Sequence, residues 1–583
     1  MTKKKKKTVP VTNIVKLKYM DAEPGPAPKG AKTRMQGWEY AATEPLLDGP
    51  VSRRVAVIDL DPDTGAVMPG ARFVPPKGRT QGLYKIKDEL DFEAADFMQV
   101  SVFTAVMKMM SIFEAQDVLG RKLSWAFDGE QLLVVPRAGK MPNAFYHRDS
   151  RSLQFFFVDD PNPKKPGKFV YTCLSPDVVA HETTHAILDG IAPDLYNATS
   201  PQSLAMHEAI ADLGAVMLAV RTDRLLRQVM IDTGGDLRKA EAFNEIARQF
   251  GEALYGEGRS LRDLNNKASM LKPGDLDLNE PHDLSTVLTG ALYAMLVAEY
   301  EQIRQEDFQD KFAKEKQKRK QASLPAPTKE EKVKIRFSVS GFALFKATEK
   351  FKRVAFRALD YLPPGEISFA DYGRAMVAAD TYSNPQDSEP RDFIKAEFLR
   401  RGMVDDAGTL DPIDPGFDLP ADLDLEQLAR SDWAAYQFAE KWREKLLIPV
   451  NIPFEVRPRL DVSRKTWRKN GEPAVMRALL FKVAWQSTQE FQIGDFFQEV
   501  AVTRGTALAV DWETRKVHAL LSTSPDHPSQ RDASTSRNDA MRKAFLATNI
   551  AEGVLEFGSP NVQIQNGTLR IRAMGQMLHM MGH

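Results

Sequence analysis

The chain has a single cysteine, Cys173, among its 583 residues. No intrachain disulfide can form, so the fold must rest on apolar burial, and Cys173 itself reads as an inert small hydrophobe. Charge of one sign is also missing: 79 basic residues face 79 acidic ones. A balanced chain has no global field to attract nucleic acid or an acidic partner, and neither is expected. No apolar run reads as long enough to span a membrane. The basic start, Met1-Thr-Lys-Lys-Lys-Lys-Lys, is not followed by the apolar stretch of a signal peptide. The lysines read as a solvated tail. Together these absences lead us to expect a cytoplasmic protein, with export without a cleaved signal as the alternative.

What is present is enough chain for two or three domains. Residues 1–85 read as an extension rich in Lys, Pro and Gly, largely irregular, with one short strand from Arg54 to Asp61. A helical pattern with a methionine-rich stripe follows from about Phe92 to Gln116. Strand patterns appear at Leu123–Phe127, Gln131–Pro136, Asn143–Tyr146 and Ser152–Val158. Residues 300–335 are densely charged and broken by Ala322-Ser-Leu-Pro-Ala-Pro, which predicts a charged helical insertion. After about residue 405 the composition shifts. A helix near 425–447, a hairpin around Gly505–Ser522, a helix near 539–557 and a turn at Asn566-Gly567 predict an α+β accessory domain over 406–583.

The chemistry is concentrated in Asp177-Val-Val-Ala-His181-Glu182-Thr-Thr-His185. Ser175 suits an N-cap, Pro176 a first helical position and Gly190 a stop, which predicts a helix from about Pro176 to Asp189. On a helix, His181 and His185 share a face and can hold one metal ion, with Glu182 placed to act on a water beside it. A catalytic zinc site needs a third protein ligand. The next helical segment, Ser203-Leu-Ala-Met-His207-Glu208-Ala-Ile-Ala-Asp212, is apolar nearly all round. Buried carboxylates are costly unless they bind metal or are hydrogen-bonded. Glu208 as third ligand and Asp212 as acceptor from a ligand histidine satisfy both conditions.

With His-Glu-x-x-His followed by Glu-x-x-x-Asp, the chain resembles the thermolysin-like metallopeptidases, a branch of the gluzincins. Asp177-Val-Val-Ala-His-Glu-Thr-Thr-His-Ala-Ile, Asn143-Ala144-Phe-Tyr, His282-Asp-Leu-Ser285 with Ala291-Leu-Tyr293, and Arg259-Ser260 are similar to that family's motifs. The match covers roughly residues 90–405. It implies an α+β fold of two lobes, a mixed α/β N-terminal lobe and a helical C-terminal lobe, here the catalytic domain over 86–405. It implies a zinc endopeptidase with one catalytic zinc held by His181, His185 and Glu208, with Glu182 as general base. His282 and Tyr196 would donate to the oxyanion, and Asp277 would orient His282. Asn143, Ala144 and Arg259 would align a protein or peptide substrate. Two positions depart from the family: His207 replaces an asparagine, and Ala219 replaces a glutamate that helps bind paired calcium, so a paired calcium site is not expected. The alternatives are a gluzincin aminopeptidase, and a latent or scaffold module governed by the domain after residue 405.

Overall fold

The computed structural model describes residues 13–20, 35–160, 168–240, 245–246, 262–468, 470, 472–493, 496–555, 559, 562–565, 568–572 and 574–575. The fold is mixed α+β. Its N-terminal part departs from the expected irregular extension. Strands β1 (Ile14–Met20) and β2 (Met35–Ala41) pair antiparallel along their whole length, Ile14 opposite Ala41 and Met20 opposite Met35. They join β4 (Phe73–Val74) and β5 (Gly82–Tyr84) in a four-stranded sheet of order β2-β1-β5-β4. The signal was present in Ile-Val-Lys-Leu-Lys-Tyr-Met: Val15, Leu17 and Tyr19 turn inward while Lys16 faces solvent. This sheet packs on α1 (Ala95–Phe113), whose Met107, Met109 and Met110 lie in the main core as the stripe suggested.

Strand β3 (Val55–Val57) is shorter than expected and lies in a second sheet of order β3-β6-β8-β7. Its other members are β6 (Leu132–Val135), β7 (Ala144–His147) and β8 (Ser152–Phe155). The stretch Leu123–Phe127 is not a strand. Gly190 explains why: a side chain there would overlap the Ser124 carbonyl, so this segment runs directly across the end of the following helix. That helix, α2 (Pro176–Ile191), therefore continues through Gly190 instead of stopping at it. Glycine is needed for close approach here, not for termination.

Helix α3 (Pro201–Val220) is buried along its whole length and packs on α2. The crossing is tight at Gly214. A Cβ there would overlap the Thr184 hydroxyl and come within 3.0 Å of Thr184 Cβ, so a rotamer change cannot relieve it. Gly214→Ala is expected to lower stability by about 1–3 kcal/mol through over-packing, despite alanine's better helix propensity. A urea-unfolding midpoint unchanged from wild type would show that the two helices can part at no cost.

The charged segment is helical and largely exposed. It is the outer half of an antiparallel pair, α4 (Pro281–Gln321) and α5 (Lys329–Arg357). Thr328 and Glu331 form a capping box at the start of α5, and Lys346–Asp307 and Arg319–Glu331 ion pairs, both 2.7 Å, bridge the arms. Beyond residue 405 a sheet runs in the order 454–456, 473–493, 496–511, 568–571, 562–565, with strand 460–467 on 473–493 and strand 517–522 on 496–511. The expected hairpin is present, and strands Val562–Gln565 and Thr568–Ile571 pair across Asn566-Gly567, which lie outside the described residues. The helix expected near 425–447 is two helices, Leu425–Arg430 and Asp432–Lys441, broken at Ser431, which caps the second.

Among the described residues two helices, α1 and α3, are long and apolar enough to cross a membrane, and both are buried within the fold, 89% and 100% in their most apolar windows.

Candidate metal centre

Helix α2 begins where its sequence sets it. The Ser175 hydroxyl accepts from Val178 N–H (3.4 Å) and Pro176 occupies the first turn. One turn apart on the buried face, His181 and His185 bring their Nε2 atoms to 3.0 Å of each other. From α3, Glu208 places Oε2 3.4 Å from His181 Nε2 and Oε1 3.5 Å from His185 Nε2. Tetrahedral zinc with ligands at about 2.0–2.1 Å sets neighbouring donor atoms about 3.3–3.4 Å apart. The three donors already sit near that spacing.

Glu182 also belongs to the group: His181, Glu182 and His185 offer donor atoms all within 4.8 Å of one another. Two glutamates thus compete for the third position. Geometry favours Glu208, which is close to both Nε2 atoms, whereas Glu182 Oε2 accepts from Tyr146 N–H at 3.0 Å. Glu182, Glu208 and Asp212 are exposed by only 2, 2 and 0%. Three carboxylates at that depth are costly without compensating positive charge, which a divalent cation among the imidazoles would supply.

Asp212, one turn beyond Glu208 on α3, lies with Oδ1 3.0 Å from His181 Nδ1, as expected from its spacing. That contact fixes the proton on Nδ1 and turns Nε2 toward the metal group. For His185 the corresponding partner is His207, whose Nδ1 is 2.6 Å from His185 Nδ1, with the rings stacked at 4.8 Å. If His185 Nε2 ligates, its Nδ1–H donates to His207, whose own proton is then on Nε2. His207 therefore supplies the bond that orients the His185 ring.

His282 enters from the first turn of α4, with Nε2 3.7 Å from Glu208 Oε2. Its orienting carboxylate is not Asp277. Glu280 holds His282 Nδ1 at 2.6 Å, while Asp277 accepts from Asn279 N–H within its own turn. Glu280 is the N-cap of α4 and also accepts from Asp283 N–H, so its side chain curls over the first turn where His282 sits. Burial raises the Glu280 carboxyl's affinity for a proton, but the His282 hydrogen bond and charge outweigh it and hold the pKa below the ordinary value. A Glu-Pro-His run at a helix start was the available signal.

Tyr196 lies beside Glu208 and His282, buried, with its hydroxyl 3.3 Å from the Tyr146 carbonyl. Donation to an oxyanion would require it to give up that long bond. Burial, then the Asp189 carboxylate, push its pKa up, so the phenol stays a donor. Arg148 stacks on its ring at 4.5 Å and pairs with Asp189, which also accepts from Tyr146 O–H at 2.8 Å. This Arg148–Asp189–Tyr146 set, which ties the end of α2 to β7, was not foreseen.

Strand β7 is the edge of its sheet. Tyr146 turns its N–H to Glu182 and its carbonyl to Tyr196, away from the sheet, so Ala144, two residues earlier, turns its backbone to the same side. Ala144 N–H is held by Asn143 Oδ1 at 2.8 Å, and Asn143 is buried. Asn143 thus shapes the edge strand in this structure. Arg259 lies outside the described residues. No family model matches the chain, and no curated protein matches it.

Proposed function

We propose that the chain is a zinc-dependent endopeptidase of the thermolysin-like kind, with a mixed N-terminal lobe and a helical second lobe meeting at the His181–His185–Glu208 group. The observation that carries this reading is the position of Glu208, with Oε2 3.4 Å from His181 Nε2 and Oε1 3.5 Å from His185 Nε2, and with Glu182 in the same buried group. Two imidazoles and a carboxylate are the kind of donor set a catalytic zinc uses.

When bound, zinc would act as a Lewis acid toward water and the scissile carbonyl. Glu182, held by Tyr146 N–H, would take the proton of the attacking water and deliver it to the leaving amine. His282, oriented by Glu280, would donate to the oxygen on which charge develops. An extended substrate would lie along the open edge of β7, pairing with the Ala144 backbone. Asp212 and His207 would keep the ligand imidazoles in the required tautomers. Zinc is favoured over calcium or magnesium because two of three donors are imidazole nitrogens.

Cleavage of unfolded casein by the zinc-loaded chain tests the reading. Activity is expected to vanish with a chelator and to return on adding zinc. Cleavage of peptides blocked at the N-terminus separates an endopeptidase from an aminopeptidase. A chain that binds zinc yet cuts neither unfolded protein nor blocked peptides would refute it.

A further inference from the structure

A large polar cavity, about 580 Å³, lies between the segments that follow β7 and α2 and the sheet beyond residue 405. That volume is in the range that holds a bound ligand. Its near wall begins where β7 ends: Arg148 and Asp149 follow His147 directly, and Asn197 to Thr199 follow Tyr196. An extended chain paired along β7 past Tyr146 meets Arg148 two residues on, about 7 Å away. The far wall includes Gln486 and Thr503, opposite each other on neighbouring strands, and the pair Arg570 and Arg572.

The segment that carries both arginines also reaches the metal group. Gly575, three positions after Arg572, donates its N–H to the Tyr196 carbonyl at 3.1 Å and forms part of the wall around Tyr196, Glu208 and His282. Three residues span at most about 11 Å. A group bound at Arg572 is therefore only a few residues of extended chain from the metal group.

Ion pairs fix this cavity and consume most of its charge. Arg457 is held by Asp194 (2.9 Å) and Glu455 (3.1 Å), and Arg148 by Asp189 (2.8 Å). Glu366 accepts from Arg542 at 2.7 Å with one oxygen and from Thr199 N–H at 2.9 Å with the other. The Arg457 and Glu366 bonds tie the two walls together, so the space is preformed. Arg570 and Arg572 are different. Residues alternate along their strand: Leu569 and Ile571 are buried in an apolar cluster, while Arg570 and Arg572 are exposed. Neither guanidinium has an ion-pair partner among the described residues, and of the lining carboxylates only Asp149 lacks one there. The uncommitted charge is two guanidiniums against one carboxylate. Like charges two residues apart on one face repel, and a guanidinium fork matches a carboxylate.

We propose that this cavity recognises a carboxylate of the substrate, held by Arg570 and Arg572 within about four residues of the scissile bond. The enzyme then selects acidic stretches of polypeptide. The inference rests on the zinc-endopeptidase reading for its use in cleavage, but recognition of the carboxylate is testable apart from catalysis.

The test uses the zinc-loaded full chain and two double variants, Arg570→Gln/Arg572→Gln and Arg570→Glu/Arg572→Glu. The substrates are N-blocked, C-amidated peptides around one cleaved bond, with Glu, Gln or Lys placed in turn at each of the four positions on either side. The readout is the ratio of kcat/KM between Glu and Gln peptides, in which any general loss of folded enzyme cancels. At one position the full chain is expected to prefer Glu by about tenfold or more. The ratio falls to about one in the glutamine variant, and the glutamate variant prefers Lys. A neutral peptide with a free C-terminus shows whether a chain-end carboxylate is taken in place of a side chain. A ratio near one at every position and for the chain end overturns the proposal, as does a Glu preference that survives in both variants. If no form cleaves any peptide, fluorescence anisotropy of the same peptides reads binding. A Glu preference that is lost in the glutamine variant then upholds the cavity and refutes the peptidase reading, whereas no preference refutes both.

Discussion

Glu182→Gln is expected to lower cleavage of an unfolded protein by about 10²–10⁴-fold, the range for loss of a general base, while zinc content per chain stays unchanged. The amide keeps the size of the carboxylate and can still accept from Tyr146 N–H through its oxygen, so the contact between β7 and α2 survives. What it loses is the capacity to take a proton. Elemental analysis and peptide turnover together decide the matter. Loss of zinc along with activity would make Glu182 a ligand, the assignment that its membership of the His181–Glu182–His185 group leaves open. Unchanged turnover would remove Glu182 from the chemistry.

Glu208→Gln is expected to have the complementary effect: zinc affinity falls by about 10²-fold or more, and activity falls with it. Glu208 touches both imidazoles, at 3.4 and 3.5 Å, and His282 at 3.7 Å. Its replacement by a neutral amide removes the negative charge that the cation needs and a good oxygen donor. Zinc binding also stabilises the folded chain, by about 2.7 kcal/mol at a hundredfold excess over Kd. The variant is therefore expected to lose the zinc-dependent rise in melting temperature shown by wild type. Normal zinc occupancy after dialysis, with the same thermal shift, would overturn the assignment of Glu208.

Much of this site was legible in the chain because its logic is local. Histidines four apart on a helix share a face whatever surrounds them, and Glu208 and Asp212 stood out as carboxylates in an otherwise apolar helix. The placement of Asp212 against His181 Nδ1 followed from that spacing. Local patterns misled where they met a non-local contact. Gly190 looked like a helix stop, yet its lack of a side chain serves the passing Ser124–Trp125 segment. Asp277 had the offset that the resemblance implied for orienting His282, but Glu280, as the cap of α4, lies closer and is held over the same turn. The sheet formed by residues 14–20 and 35–41 was obscured by the lysines that alternate with its apolar residues.

The sequence by itself determined which residues can do metal chemistry and which helices carry them, since periodicity, capping and the cost of burying carboxylates act within a turn or two of chain. Tertiary structure decided what those residues meet. It put Glu208 beside the two imidazoles, gave His185 the neighbour His207, and set the edge of β7 against α2. It also brought Gly575 to the wall of the site, nearly four hundred positions from Tyr196, to which it is bonded. No spacing rule reaches that far, because such a contact depends on how two separately packed cores dock.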